Sequence, residues 1–286
     1  MEVLEFEKMS SDDIYELLEE IPAPSALLSE LQAMLSSDAE VCSDNKVESV
    51  IQQDPVIAAD VIRYSNSAYF GSREKAASLN DAISIIGYSK LNRFVSAKAF
   101  QRLATMPLDM YGLSADEFYM KSVAAAIAMD EIAADHNDVG GINYTIGLMH
   151  GMGEALINQY LIKFRNSAAS LNFAETPFRR LSMLERSVIG MDQAQVAAVA
   201  LRKWNFSERV VEPIEWQFEP MRCRENFEKA NALTASRYVA RTLLEEYRGI
   251  LSPSKAMYQL SFQNKTLLAV YETVKDEIAH YNEIAV

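Results

Sequence analysis

The sequence predicts an all-α protein, and three observations carry that reading. Apolar residues recur at three- and four-residue intervals along most of the 286-residue chain, the spacing of one helix face. Only ten glycines and eight prolines punctuate it, and Ala, Leu, Glu and Met, all strong helix formers, are abundant. No alternating run bounded by hairpin signals suggests a strand. At 49% hydrophobic residues and a mean hydropathy of −0.07, a chain this long buries one or two cores without covalent staples.

Several function classes are disfavoured at once. Net charge is −13, from 27 Lys and Arg against 40 Asp and Glu. Nucleic-acid affinity rests mainly on phosphate neutralisation, so this balance argues against a DNA or RNA partner and, less strongly, against anionic membranes. A polyanionic substrate requires a local basic pocket, and none is evident in the sequence. Cys42 and Cys223 are too few for a disulfide framework and fit a reducing compartment. No secretory pattern opens the chain and no apolar run is long enough to cross a bilayer. A soluble, cytoplasmic protein without membrane partners is the expectation.

The elements follow in order. Ser10–Glu20 reads as a helix with Ile14, Leu17 and Leu18 on one face, ended by Pro22 and Pro24. A second helix from Ser25 buries Leu27, Leu28, Leu31, Met34 and Leu35, and Ser37–Ser43 is a polar linker. A short helix carries Val47, Val50 and Ile51. Asp54-Pro55 then starts another: the carboxylate can cap the first amides, and proline at the first helical position sacrifices no hydrogen bond. That helix runs to about Asn66. Asn66-Ser67 and Gly71-Ser72 bracket a corner carrying Tyr69 and Phe70, and Ser78 or Asn80 restarts a helix that Gly87 stops. The next turns Leu91, Phe94 and Val95 inward.

Thr105–Gly112 breaks the chain between two helical halves. Ser114, followed by Asp116 and Glu117, starts a long alanine-rich helix through Ala134, and His136–Gly141 is a polar turn. Asn143–Phe164 reads as one buried helix in which Gly147 and Gly151, a turn apart, suit a close crossing. Thr176-Pro177 starts a helix ending near Gly190. Asp192 and Gln195 form a capping-box pair before Ala194–Trp204, and Ser207 caps a helix that meets Pro213. Asn226–Tyr247 and Thr266–Tyr281 are the last helices expected.

The order Asp54-Pro55, then Asn66-Ser-Ala-Tyr-Phe-Gly71, then Ser78-Leu-Asn-Asp-Ala-Ile-Ser-Ile-Ile-Gly87 closely resembles the first half of the HDOD domain, a bacterial signalling module. The resemblance extends from about Ile21 to about Trp216. It implies an HD-domain-like multi-helix bundle in two halves, 12–106 and 107–217, with 218–286 as a C-terminal helical extension. HDOD domains resemble HD-type metal-dependent phosphohydrolases in fold and typically lack their metal ligands.

The aligned positions can be read individually. Where the enzymes have their early histidine, this chain has Lys121, whose ammonium cannot ligate. The His-Asp pair becomes His150-Gly151, so the carboxylate is missing. A later histidine becomes Gln193, and the downstream His-His pair reads Glu215-Trp216. Only three histidines exist in the chain: His136, His150 and His280. A hydrolytic centre needs several N and O donors and an open position for water; a rearranged one could be assembled from His150, Asp192, Glu215 and other carboxylates. His150 itself, among Leu148, Met149 and glycines, reads as a hydrogen-bonded core residue.

The resulting expectation is a degenerate metal site with no cofactor and no catalysis, in a signal-transduction module that binds another signalling protein supplied in trans. Tyr69, Phe70 and Arg73 are the candidate partner-binding residues, because loop aromatics beside arginine are common interface anchors. Two alternatives stay open: a metal-dependent phosphohydrolase with the rearranged site, and a small-ligand sensor using the pocket where the metal would sit.

Overall fold

A computed structural model describes residues 8–20, 44–71, 75–133, 141–163, 173–174, 176, 178–263 and 265–284. Over these residues the chain is helical, with a lone antiparallel bridge between Leu108 and Leu113. The expected helix from Ser25, the linker 37–43, Cys42, Arg73 and His136 lie outside the described residues.

The capping signals set the element starts. α1 (Ser11–Glu20) begins at Ser10, whose amide and hydroxyl donate to Asp13 at 2.7 and 2.6 Å. α2 (Asp44–Ile51) leads into α3 (Pro55–Ser65), where Asp54 Oδ1 accepts from the amides of Val56 and Ile57, both at 3.1 Å. Asn66 closes α3 and clamps the returning chain: its side chain accepts from the Ala76 amide at 2.8 Å and donates to the Ala76 carbonyl at 3.1 Å. Of the two candidate restarts, Ser78 is the one used. It caps α4 (Leu79–Ile86) in a reciprocal box with Asp81. Gly87, at φ +75°, turns the chain directly into α5 (Tyr88–Gln101), a conformation that glycine adopts without steric cost.

Ser114 and Glu117 form a second box at the start of α6 (Ala115–Ile132), and Asp192 and Gln195 a third at α10 (Gln193–Lys203). Between them lie α7 (Ile142–Met149), α8 (Met152–Lys163) and α9 (Phe178–Ile189). Ser207 caps α11 (Glu208–Glu215), which contains Pro213, and α12 (Phe227–Tyr247) follows. The chain ends in α13 (Pro253–Gln263) and α14 (Lys265–Ile284).

Two of these differ from the sequence expectation. The single helix expected over 143–164 is two, broken at His150-Gly151, and α13 is a helix where the sequence analysis expects none. In α13, Pro253 occupies the first helical position rather than ending anything, with the Ser252 hydroxyl accepting from the Lys255 amide at 3.4 Å.

Two hydrophobic cores form. The smaller comprises side chains between Val47 and Val95, including Ile57, Tyr64, Ile83 and Phe94. The larger is built around α6 and takes residues from Met9 to Ile278. α5 serves both: Leu91, Phe94 and Val95 enter the small core, and Ala97, Ala99 and Phe100 the large one. α1 packs on α8 and α10, joining the large core although it precedes the small one in sequence. α6 lies against α7, α12 and α14, so the C-terminal helices are part of this core.

Glycine permits two backbone approaches here. A Cβ on Gly147 would lie 2.5 Å from the Ala125 carbonyl oxygen of α6, and one on Gly153 would lie 1.8 Å from the Gln193 carbonyl oxygen of α10. Gly151, expected beside Gly147 at a crossing, instead faces the Phe118 ring, which a Cβ would meet at 3.1 Å.

Candidate functional site

The break at His150-Gly151 has a specific cause. In an unbroken helix, the Gly151 amide would donate to the Gly147 carbonyl and the Glu154 amide to the His150 carbonyl. Here the His150 imidazole takes the Gly147 carbonyl, with Nδ1 at 2.6 Å, so Nδ1 carries the proton. Gln217 Nε2 donates to the His150 carbonyl at 3.3 Å, and the Glu154 amide donates to Gly151 at 3.0 Å. Side chains thus replace helix bonds at the corner between α7 and α8. His150 is 3% exposed. Burial, together with the charges of Arg237 and Lys121, holds its pKa well below the usual imidazole value.

Lys121 of α6 pairs with Glu154 of α8. Both are largely withdrawn from water, with side-chain exposures of 13% and 6%. The Lys121 ammonium, which the resemblance sets where the enzymes have their early histidine, is thereby neutralised by a carboxylate in the first turn of the helix after His150. Gln193 is fully buried and donates from Nε2 and from its amide to Glu185 of α9, at 3.0 and 2.9 Å. Tyr111 adds a third hydrogen bond to Glu185 at 2.8 Å. Burial outweighs these bonds and pushes the Glu185 carboxyl up to about 8.

The other aligned residues lie elsewhere. Glu215 accepts from Arg202 at 2.6 Å in a partly exposed cluster with Glu208. Trp216 carries the Arg222 guanidinium 4.5 Å over its ring. Gln217, one residue further on, is the side chain that reaches His150. Asp192 is occupied by its own helix cap, by the Ser182 hydroxyl at 2.6 Å and by Arg186 at 2.7 Å. His150, Asp192 and Glu215 therefore belong to three separate networks. Among the described residues no group of three or more His, Cys, Asp or Glu could hold a metal ion. The donor set does not fit a hydrolytic metal: one imidazole is committed to a carbonyl, and two cations stand close by.

Lys121, His150 and Glu154 line one end of a pocket of about 180 Å³. α12 supplies Arg237 and Arg241, and Arg248 follows at its C-terminus. Arg237 is 3% exposed, with its guanidinium 4.3 Å over the Phe218 ring. Burial lowers its pKa to about 10, so it remains charged at neutral pH. Arg241 pairs with Glu245 at 2.8 Å, and Arg248 forks onto Glu117 at 2.7 and 2.8 Å. The Arg248 bond holds the Glu117 carboxyl down to about 2. The sequence shows no basic pocket because its cations are scattered over residues 121 to 248. Their one legible trace is that 237, 241 and 248 fall on a single face of a helix.

The Tyr69–Phe70 corner lies on the small core. Both rings are half-buried, and Tyr64 links them to Phe94, against which it stacks at 4.3 Å. Phe70 meets Tyr64 edge-on at 4.9 Å, and Lys90 donates to the Tyr69 hydroxyl at 2.8 Å while lying 4.5 Å over its ring. Cys223 is buried, which raises its thiol to about 11 and leaves little thiolate at neutral pH. Among the described residues no helix is long and apolar enough to cross a membrane.

Comparison with known proteins agrees with this architecture. A chain described as "Putative phosphohydrolase" from Shewanella amazonensis SB2B is 19% identical, with a TM-score of 0.66 over 95% of this chain and 96% of that one. A "Putative signal transduction protein" from Marinobacter aquaeolei VT8 is 17% identical, with a TM-score of 0.67 over 95% of this chain and 60% of that one. An HDOD domain protein with unknown function from Geobacter sulfurreducens is 15% identical, with a TM-score of 0.61 over 92% of this chain and 96% of that one. At these identities the likeness is one of fold. An uncharacterized protein of Treponema pallidum (strain Nichols) is 21% identical over 207 residues, which is 71% of this chain and 38% of the relative's length. The HDOD domain family model matches residues 21–220, well over half of the sequence, and the chain belongs to the HDOD family.

Proposed function

We propose that this protein is a non-catalytic signal-transduction module that acts by binding another signalling protein in trans. One observation carries the reading: the positions that the resemblance aligns with a metal centre are engaged in bonds to other residues of the same chain. Lys121 pairs with Glu154, and the His150 imidazole is held by the Gly147 carbonyl. A scaffold of this kind offers surface rather than turnover. The contact face we favour is the corner of Tyr69 and Phe70, where two half-buried rings adjoin Lys90. Aromatic side chains beside a cation are common anchors of interfaces.

The test is metal content and hydrolysis together. Purified protein incubated with iron, manganese, zinc or magnesium is expected to retain no stoichiometric metal and to hydrolyse no phosphodiester. Stoichiometric metal with phosphodiesterase activity that His150→Ala abolishes, while the fold survives, would establish the hydrolase instead.

A further inference from the structure

We infer that the Tyr69–Phe70 corner, taken as a contact face on the reading proposed above, receives the acidic outer face of α1 from a second copy of this chain. Charge is distributed very unevenly along the sequence. Residues 1–60 hold fifteen Asp and Glu against two lysines, a net of −13, which equals the charge of the whole protein. Residues 61–106 hold seven Lys and Arg against two acids, a net of +5, and residues 107–286 eighteen against twenty-three, a net of −5. Of these three stretches, the corner lies in the positive one and α1 in the most negative.

The side chains carry that polarity to the surface. α1 turns Ile14, Leu17 and Leu18 into the large core. Asp12, Tyr15, Glu16 and Glu19 share its opposite face at helical spacing, and all four are exposed. Among the described residues Asp12, Glu16 and Glu19 make no ion pair. One cation adjoins the strip, Lys203 at 4.8 Å from the Tyr15 ring, so the three carboxylates remain in excess. On the corner, Lys75 and Lys90 make no ion pair with the described residues either. Lys90 donates to the neutral Tyr69 hydroxyl at 2.8 Å and lies 4.5 and 5.6 Å from the Tyr69 and Phe70 ring centroids. Its charge is thus uncompensated beside two half-buried rings. Lys75 precedes Ala76, which Asn66 clamps to the corner. Two ammonium groups beside aromatic rings meet three carboxylates around a tyrosine: opposite potentials align the surfaces and the rings supply contact area. Strip and corner belong to different cores, since α1 packs on α8 and α10 and the corner on the small core. An interface between unlike patches joins copies head to tail.

The test is sedimentation equilibrium of the full-length protein over a concentration series, at ionic strengths of about 0.01 M and about 1 M, between which the Debye length falls from roughly 30 Å to 3 Å. The mass is expected to rise above the 32.1 kDa monomer at low salt and to return to it at high salt. Lys90→Glu, and separately Glu16→Lys with Glu19→Lys in one chain, each set like charges against one another and are expected to weaken association at least about tenfold. All three side chains are exposed, so the fold is expected to survive. Lys255→Glu makes the same change of charge on exposed α13 and is expected to leave association intact. The decisive sample is an equimolar mixture of the two weakened proteins. One retains its α1 strip and the other its corner, so association is expected to return. A wild type that stays monomeric at low salt would overturn the inference and hand the corner to a foreign protein. Association that persists in either weakened variant, that Lys255→Glu removes, or that the mixture fails to restore would overturn it as well. Failure of the non-catalytic reading is seen separately, in metal content and hydrolysis.

Discussion

The Tyr69 corner and the Arg237 pocket are organised in opposite ways. The corner is built from neighbours in sequence: Asp54 starts α3, Asn66 ends it, and Ser78 starts α4. The pocket draws on Lys121, His150, Glu154 and three arginines after residue 236. In the first region, local hydrogen bonds hold the backbone and the aromatic rings follow. In the second, buried charges must find one another across helices that only tertiary packing brings together. Disturbing a locally capped region removes a bond or two, whereas disturbing the pocket strands a charge away from water.

The largest expected effect follows from that difference. Lys121→Met leaves Glu154 buried without its ammonium and is expected to cost about 3–5 kcal/mol in urea unfolding, with Glu154→Leu in the same chain recovering most of the loss. Additive losses in the double variant would remove the contrast between the two regions. In the corner, Asn66→Ala deletes two bonds to Ala76, for an expected loss of about 1–2 kcal/mol. A loss as large as that of Lys121→Met would show that the corner, too, depends on more than local bonding.

The smallest effect is a slope with pH. Burial keeps the native His150 imidazole neutral, while the unfolded one titrates near about 6.5. The unfolded state therefore binds more protons below that pH, and this group's contribution to stability is lost as pH falls through and below it. Glu185, pushed up to about 8 in the folded state, tilts the curve the other way: its proton is held natively where the unfolded carboxylate has released it, so stability declines as pH rises from about 4.5 toward 8. The difference between wild type and His150→Gln isolates the histidine. That variant is expected to flatten the acid-side loss, and identical pH profiles would show that the imidazole is not held neutral.

Much of the fold was legible because it is written locally. Ser114, Asp192 and Ser207 each sit three or fewer residues from the amides that they cap. Gly147 announced a close approach, since a glycine in a buried helix needs a packing reason. What escaped notice depended on distant atoms. Nothing near His150 reveals that Gln217 will take its carbonyl and allow the helix to break. Likewise Gly153, rather than Gly151, lies against a backbone, because α10 arrives forty residues later. Pro253 is ambiguous in sequence for a different reason: proline both ends helices and opens them, and here the Ser252 hydroxyl that accepts from the Lys255 amide marks a start. The basic pocket was the least visible feature, since no window of sequence contains its cations together.

α5 gives the molecule a mechanical property. One uninterrupted helix supplies Phe94 to the small core and Phe100 to the large one, while its Arg93 grips Asp130 at 2.7 Å and Glu277 at 3.3 Å. It is an axle fixed in two hubs, so a displacement of one hub is carried to the other along a single helix.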